Sequence, residues 1–453
     1  MAGSTGVRER VLQEIEGEYR ARTTRSLQLH ERALRHMPGG STRTTVHFSP
    51  HPLYLERGEG ARVVDVDGTQ RLDFIQNYTA LILGHAHPRV AAAIHERADH
   101  GTAFAATNPF EVELAAELAD RVPSLERVRF LSSGTEATMF AMRLARAYTG
   151  RTAIARVEGG YHGTHDVAEV SAHPDVSLAG PAHAPVPVAD SPGTPPWALE
   201  HTVVLPFNDP DAAEAILRRE RDRLAGVIVE PVLGAGGMIP ATPDYLKRLR
   251  EVTRELGLVL IFDEVISLRV GRGGAQERYG VTPDLTTMGK IIGGGLPVAA
   301  FGGSRAIMDL LDPDREGGLA QGGTYNGNPL GTAAGLAALR ELTPPVYPRL
   351  EALGDRLRDG LQSVLDRHDV AAQVTGVASL FQVHFTGEPV TDYRSAARGD
   401  RALGHAFFLE MLNRGILLAP RGAGAICTPM GDAEVDTFLD AAAGAAARVA
   451  AAG

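Results

Sequence analysis

The sequence predicts an α/β protein whose larger part is a mostly parallel sheet covered by helices on both faces. Two observations carry this. From about residue 90, short runs that are apolar throughout (128–131, 153–157, 226–230, 258–263, 285–288 and 299–302) alternate with stretches of helical periodicity. Strands buried on both faces read as unbroken apolar runs, and helices between them supply the parallel crossovers. The two ends of the chain break the pattern. Residues 52–74 alternate apolar and polar, and the chain beyond 335 turns to helical and mixed segments, so a smaller α+β part is expected from both termini. At 453 residues, one large and one small unit is the natural division.

Taken in order, residues 7–38 read as a charged, mostly helical arm that stops at Pro38-Gly39-Gly40. Residues 52–74 form a β-meander with Gly and Asp-Gly turns. The expected divisions are 1–74 for the arm and part of the small domain, 75–335 for the large domain, and 336–453 for the rest of the small domain. Residues 163–200 are rich in Pro and His and lack periodicity. That is too long for a plain connector, so the segment is either an active-site loop or a flexible flap. Thr242-Pro243 starts a helix whose apolar stripe is Leu246, Leu249, Val252 and Leu256. An Ala-rich amphipathic helix from Ala433 closes the chain, and there is no internal repeat.

Composition excludes several function classes. Hydrophobic residues are 44% and charged residues 22%, ordinary for a globular protein. A net charge of −10 argues against a nucleic-acid partner, because phosphate binding wants a basic surface. No run is long and apolar enough for a transmembrane helix, and the N-terminus has no apolar signal core. Cys427 is the only cysteine, which excludes a disulfide within the chain and favours a reducing cytoplasm. Histidines and carboxylates show no metal-ligand spacing.

Lysine occurs only at Lys247 and Lys290; the other basic residues are arginine. Lys247 falls on the polar face of its helix with Arg250, Glu251 and Arg254, a solvated position. Lys290 instead follows an apolar strand and precedes the glycine run Gly293–Gly295, where a bound role is favoured. Asp263 ends the apolar strand in LGLVLIFDEVI. A buried carboxylate needs a cation, either an internal arginine or the protonated ring nitrogen of a bound cofactor. FLSSGTEA at 130–137 reads as strand, small-residue turn and helix start at Glu136. Such a turn offers backbone N–H groups and a helix N-terminus to an anion, although Ser and Thr cap helices for structural reasons too. Tyr161 follows two glycines, so its ring can stand against a flat ligand or be an ordinary loop tyrosine. His162, taken alone, reads as structural. The GAGG and GGG runs at 234–237 and 293–295 do not fit a dinucleotide fingerprint and read as tight turns beside a ligand.

SSGTEA at 132–137, YHG at 161–163, EP at 230–231, DEV at 263–265, GK at 289–290, GGGLP at 293–297 and GGTYNGNP at 322–329 together resemble the class III aminotransferases, in order and spacing, over roughly residues 30–450. The resemblance implies pyridoxal 5'-phosphate (PLP) as cofactor and the fold type I of PLP-dependent transferases, with a mostly parallel seven-stranded sheet. It implies Lys290 as Schiff-base lysine and proton shuttle, and Asp263 as partner of the pyridinium. Ser133, Gly134 and Thr135 would cup the phosphate, Tyr161 would stack on the ring, and Glu230 would have an organising role. Thr324 would reach the phosphate in a neighbouring subunit, which implies a homodimer with shared active sites. One position departs from the family: many members carry Gln after DEV, where it contacts the ring hydroxyl, and Ile266 cannot make that hydrogen bond.

Within the class, residues 38–61 and 417–430 are similar to the matching segments of β-amino-acid (β-phenylalanine) aminotransferases. Arg43 and Arg421 stand at positions associated there with substrate carboxylates. Each lies in an otherwise apolar, Gly- and Pro-rich segment, so each needs an anionic partner, either a substrate carboxylate or an internal carboxylate. Gly422 and Gly424 are expected to make the Arg421 loop compliant, and Tyr78 is a candidate for the pocket wall or for packing. The implied reaction is ping-pong transamination between an amino acid, a β-amino acid by these arginines, and a keto acid such as 2-oxoglutarate. Three alternatives stay open. One is an isomerase like glutamate-1-semialdehyde 2,1-aminomutase, which has a gating loop where this chain carries the Pro-rich DSPGTPPW at 190–197, although Arg421-Gly422-Ala423-Gly424 lacks the carboxylate that the aminomutase carries in its matching segment. The others are an aminotransferase dedicated to a natural-product pathway and a non-catalytic PLP-binding protein.

Overall fold

The computed structural model describes residues 2–451. The described residues divide into two compact units, one of residues 88–347 and 391–397, the other of residues 2–87, 348–390 and 398–451. Both boundaries lie about a dozen residues beyond the expected 74/75 and 335/336. The return of 391–397 to the first unit was not anticipated.

The first unit is built on a seven-stranded sheet. Its strands are β1 (Arg127–Leu131), β2 (Ala153–Val157), β3 (Thr202–Leu205), β4 (Leu224–Val229), β5 (Val259–Asp263), β6 (Leu285–Met288) and β7 (Ala299–Gly303). They lie in the order β1-β7-β6-β5-β4-β2-β3. All run parallel except β7, which is antiparallel to both neighbours. Six of the seven match the apolar runs in the sequence to within two residues at either end. The seventh, β3, is an edge strand of four buried residues that directly follows the aperiodic segment. So short a run carries no period of its own.

Helix α1 (Gly134–Thr149) crosses this sheet. It buries Ala137, Phe140, Ala141, Leu144 and Ala145, the spacing of one helical face, in a core with Ile228, Ile261 and Phe301. The Phe140 and Phe301 rings stack at 6.0 Å, and burying a phenylalanine of this kind contributes about 1.5–3 kcal/mol. The functional positions follow the carboxyl ends of β1, β2, β4, β5 and β6, where open parallel sheets place ligands.

Residues 163–195 are irregular but firmly tied, and Pro196–Glu200 is a short helix. Buried Arg156 on β2 donates to the carbonyls of Gly160, Val167 and Ala168, the last at 2.5 Å. Asp190 accepts from the amides of Ala172 and His173 at 2.6 and 2.7 Å. Residues 391–397 belong to this unit because they fasten the same segment. Arg394 pairs with Glu158 at 2.6 Å and donates to the Gly180 carbonyl at 2.7 Å, and the Tyr393 hydroxyl donates to the Pro174 carbonyl at 3.0 Å.

The second unit holds the expected meander, Leu55–Glu59, Arg62–Asp65 and Gln70–Asp73, extended by Ile416–Leu417 running parallel to its third strand. A second sheet joins Gln373–Thr375, Leu380–His384 and Ala423–Ala425, all antiparallel. The arm is two helices, Ala2–Arg22 and Thr24–Ala33, and the terminal helix is Asp432–Ala450. Directly after the meander comes a conformation nothing in the sequence announces. Gln76, Asn77, Tyr78 and Thr79 all have positive φ, at +50°, +49°, +54° and +72°. Each non-glycine residue in that region is disfavoured by roughly 1–2 kcal/mol, so surrounding structure must hold the turn. Asp73 Oδ1 accepts from the amides of Ile75 and Gln76 at 2.9 and 2.8 Å, and Gln76 Nε2 donates to the Ala425 carbonyl at 2.9 Å. Gln76 and Thr79 are buried, and Asn77 is exposed between them.

Candidate active site

A cavity of about 250 Å³ opens at the carboxyl ends of the central strands. Ser132, Ser133, Gly134 and Thr135 line it after β1, Tyr161, His162 and Gly163 after β2, Glu230 after β4, and Asp263 at the end of β5. Lys290 lines it after β6, and Val265, Ile266, Leu296, Pro297 and Val298 give apolar walls. One cavity therefore gathers Lys290, Asp263, Ser133, Gly134, Thr135, Tyr161 and Glu230.

The start of α1 forms one end of the cavity. The helix begins at Gly134, two residues earlier than the expected Glu136. Ser133 is its N-cap, accepting from the Glu136 amide at 3.3 Å, so the structural and functional readings of this turn coexist. Gly134 leaves little room, since a Cβ there would lie 3.3 Å from a Val265 methyl. The Gly163 backbone packs directly on Thr135, and the His162 carbonyl accepts from Thr138 Oγ1 at 2.5 Å.

Asp263 is 4% exposed. Its Oδ1 accepts from the Val265 amide and from Thr287 Oγ1, both at 3.1 Å. What meets Oδ2 is His162 Nδ1, at 2.8 Å. Burial lowers the His162 pKa below the usual histidine value, with Asp263 opposing. A neutral imidazole facing a carboxylate carries its proton on Nδ1. Its Nε2 is buried without a hydrogen-bond partner. Read from sequence alone as structural, His162 is the site residue that sequence reasoning undervalued. The available signal was its place beside Tyr161 at a strand end.

Glu230 accepts from the amides of Tyr161 at 2.8 Å and Gly234 at 3.2 Å, so it ties the aromatic residue to the strand below. Burial, and then the negative charge of Asp263, push its carboxyl up to about 8. Lys290 has a positive φ of +50°, a strained setting of the kind found at functional positions. Burial lowers its ammonium below the usual lysine value, opposed by Asp263 and Glu230. Ile266 lies on the wall, where a Cβ on Gly234 would come within 2.3 Å of its Cδ1. It offers only apolar atoms to the cavity, so the hydrogen bond expected of a Gln after DEV is not made from this position.

This donor set fits PLP. Hydroxyls and a helix N-terminus suit a phosphate dianion. A buried carboxylate braced by a histidine suits a protonated pyridine, and a buried amine of lowered pKa suits an aldehyde. The tyrosine beside them suits a flat ring.

Four expected residues are not among those that line this cavity. Thr324 is exposed and does not line the cavity of its own chain. Arg43, Tyr78 and Arg421 belong to the other unit. Arg43 Nη2 donates to Asn77 Oδ1 at 2.7 Å, and its guanidinium lies 5.5 Å from the centre of the Tyr78 ring. The Tyr78 hydroxyl donates to the Thr45 carbonyl. Among the described residues, neither Arg43 nor Arg421 has a carboxylate at ion-pair distance. The expected compliance of the Arg421 loop is not observed. Ala423–Ala425 is a strand paired with Leu380–His384, and the Arg421 carbonyl accepts from Gln382 Nε2 at 3.2 Å. A Cβ on Gly422 would lie 2.6 Å from Val383 Cγ1, and one on Gly424 2.4 Å from Phe381 Cζ. Both glycines serve close packing.

Fold and cavity define a PLP-dependent enzyme of fold type I. The chain matches the family Aminotransferase class-III over residues 45–436, and it belongs to that family. It is a PLP-dependent aminotransferase. It is 44% identical over 397 residues to a glutamate-1-semialdehyde 2,1-aminomutase of Methanothermobacter thermautotrophicus, covering 87% of this chain and 92% of that protein. Among solved structures, an omega-transaminase from Sphaerobacter thermophilus is 48% identical with a TM-score of 0.91, covering 94% of this chain and 97% of that one. A β-phenylalanine aminotransferase from Variovorax paradoxus is 36% identical with a TM-score of 0.88, covering 96% and 97%. No described helix is long and apolar enough to cross a membrane.

Proposed function

We propose that the protein transfers the amino group of a β-amino acid to a keto acid such as 2-oxoglutarate by a ping-pong mechanism. The observation that carries this reading is a pair of arginines, Arg43 and Arg421, without carboxylate partners among the described residues and both acting electrostatically on Tyr78. A guanidinium in such a setting is ready for a substrate carboxylate, which it meets with two parallel hydrogen bonds. One arginine would hold the donor's carboxylate, and the other would serve the dicarboxylate acceptor in its turn.

The roles of the remaining residues follow from their chemistry. PLP, when bound, supplies an electron sink for the bonds of the amine-bearing carbon. Lys290 anchors it, and Lys290 Nζ, already lowered in pKa, takes the proton from that carbon. Asp263 keeps the ring nitrogen protonated, and Ser133, Gly134 and Thr135 bind the phosphate. Tyr161 covers the ring face, and Glu230 fixes Tyr161. Thr324, exposed and outside its own chain's cavity, suits a homodimer in which it reaches the neighbouring copy's cofactor. A cytoplasmic setting suits a chain whose one cysteine, Cys427, is a buried thiol.

The test compares a β-amino acid with its decarboxylated amine on the native enzyme and on Arg421→Ala. A charge-assisted contact is worth roughly 1.5–3 kcal/mol. The variant is therefore expected to lose on the order of 10- to 150-fold in kcat/KM on the acid and little on the amine. Equal losses on both would make Arg421 structural. Borohydride reduction and peptide mapping check the anchor separately: the label belongs on Lys290, and a label on Lys247 would reject it. The 44% identity to an aminomutase favours a second reading, an isomerase that moves the amino group within one molecule. Such an enzyme turns over glutamate-1-semialdehyde with no keto acid present, whereas the transaminase requires the acceptor.

A further inference from the structure

We infer that the left-handed turn Gln76–Thr79 sets carboxylate specificity, and that Asn77 is the residue that orients Arg43 without neutralising it. The inference rests on the proposal that Arg43 and Arg421 bind the substrate carboxylate.

The turn joins the two arginine-bearing segments. At its buried end, Gln76 Nε2 donates to the Ala425 carbonyl at 2.9 Å, and the Ala425 amide donates to the Phe74 carbonyl at 2.6 Å. The strand that starts two residues after Arg421 is thereby bonded to the turn itself. At its exposed middle, Asn77 Oδ1 accepts from Arg43 Nη2 at 2.7 Å, and the Tyr78 ring lies 5.5 Å below the guanidinium. The Tyr78 hydroxyl is fixed on the Thr45 carbonyl, two residues from Arg43. Positive φ at Asn77 and Tyr78 is what turns these consecutive side chains toward Arg43. Burial raises the Tyr78 hydroxyl pKa, and the positive charges of Arg43 and Arg421 pull it back, so both cations act on one ring.

The acceptor type is the informative detail. An amide oxygen holds one of the five guanidinium N–H groups and leaves the full positive charge and the remaining donors for a ligand. A carboxylate at the same place would grip Arg43 more firmly and cancel the charge. Asp is isosteric with Asn and tolerates positive φ nearly as well. Asn77→Asp therefore separates a positioning role from a structural one. A residue that merely stabilises the turn should be satisfied by Asp. A residue that must leave Arg43 charged should not.

The experiment titrates the holoenzyme with glutarate, a dicarboxylate that offers a carboxylate to each arginine and has no amine or carbonyl to react, and with pentane-1,5-diol, its uncharged counterpart. Asn77→Asp is expected to weaken the acid on the order of 10-fold, to leave the alcohol within about twofold, and to keep or raise Tm. Acid binding unchanged within about twofold, or equal weakening of acid and alcohol, overturns the inference. If Asn77→Asp does not accumulate, Asn77→Gly replaces it, since glycine keeps the positive φ and removes the acceptor. The acid should then weaken roughly threefold or more with the alcohol unchanged, and no change again overturns the inference. Arg421→Ala, run in parallel, separates the two failures. If the native enzyme does not prefer the acid, or if Arg421→Ala keeps the preference, the carboxylate reading itself falls. If only the Asn77 variants keep it, the reading stands and the role of the turn is wrong.

Discussion

Gly163→Ala tests how tightly the loop after β2 is locked to the turn at the start of α1, proposed to bind the cofactor phosphate. Gly163 has a φ of +94°, a conformation side chains rarely adopt. A Cβ placed there would sit 2.5 Å from Thr135 Oγ1, 2.6 Å from Thr135 Cα and 2.8 Å from Thr135 Cβ. Two of these three contacts are with Cα and Cβ, so rotating the Thr135 side chain does not relieve the clash, and either the loop or the first turn of α1 must move. The strained φ contributes about 1–2 kcal/mol, and overpacking contributes about 1–3 kcal/mol. The variant is expected to be destabilised by roughly 2–5 kcal/mol, or to relieve the clash by displacing Thr135 from the cavity. Displacement removes a charge-assisted contact to the phosphate, which corresponds to about a 10- to 150-fold rise in Kd for PLP. The assay pairs Tm of the apoenzyme with a fluorescence titration of PLP. Either the melting temperature falls by several degrees or the cofactor binds more weakly. A variant with native Tm and native PLP affinity would refute the argument that these two segments share one rigid contact.

Asp263→Asn should keep the fold, because the Val265 amide and Thr287 hydroxyl still find an oxygen to donate to. Losing a buried counter-charge should slow proton abstraction in single-turnover measurements by roughly 100- to 1000-fold; a loss below tenfold would contradict the pairing. His162→Ala removes one of the three hydrogen bonds to Asp263. It should lower kcat on the order of 10-fold with PLP affinity little changed, and His162→Asn, which restores a donor, should recover part of the loss. Glu230→Gln tests a pH dependence. The folded state holds a proton with a pKa of about 8, against the ordinary 4.5. That stability is therefore full below about pH 4.5 and is lost as pH rises toward 8. Gln stays neutral throughout, so the stability of apo Glu230→Gln relative to native should climb between pH 5 and pH 8, by a few kcal/mol at most, read as a growing difference in Tm. A constant difference across that range would mean that Glu230 titrates as an ordinary carboxylate.

The sheet was legible because its strands are buried on both faces, so 153–157 and 285–288 read as strands with their observed ends. β3 was not, because a four-residue run with three apolar residues after a long aperiodic segment fits a loop as well as an edge strand. Lys290 and Asp263 were legible for a chemical reason. A lysine at a strand end, or a carboxylate closing an apolar strand, has few structural uses that justify desolvating it. The turn at Gln76–Thr79 was hidden because QNYT has no glycine, and its one residue that favours positive φ, Asn77, does not announce four such residues in a row. It is held by a local hydrogen bond from the Gln76 amide to Asp73 and a tertiary one from the Gln76 side chain to the Ala425 carbonyl, which spans 349 residues. The glycines beside Arg421 misled in the opposite sense. Glycine permits flexibility, but it also permits close approach, and the contacts with Val383 and Phe381 that decide between the two lie about 40 residues away in sequence.

These cases share a cause. Residues that meet a ligand must be of a particular chemical type, and type is what a sequence displays. His162 acts on Asp263, Glu230 on Tyr161, Arg156 on the loop between them, and Asn77 on Arg43. Each of these residues acts by holding another one, and for such a role several residue types suffice, so only geometry reveals it. Substitutions at these holding positions should therefore alter affinity, pH dependence or substrate preference while leaving the reaction itself in place. Substitutions at Lys290 and Asp263 should strike the chemical step. The contrast between His162→Ala and Asp263→Asn, two residues 2.8 Å apart in one hydrogen-bonded pair, is the most direct measure of that difference.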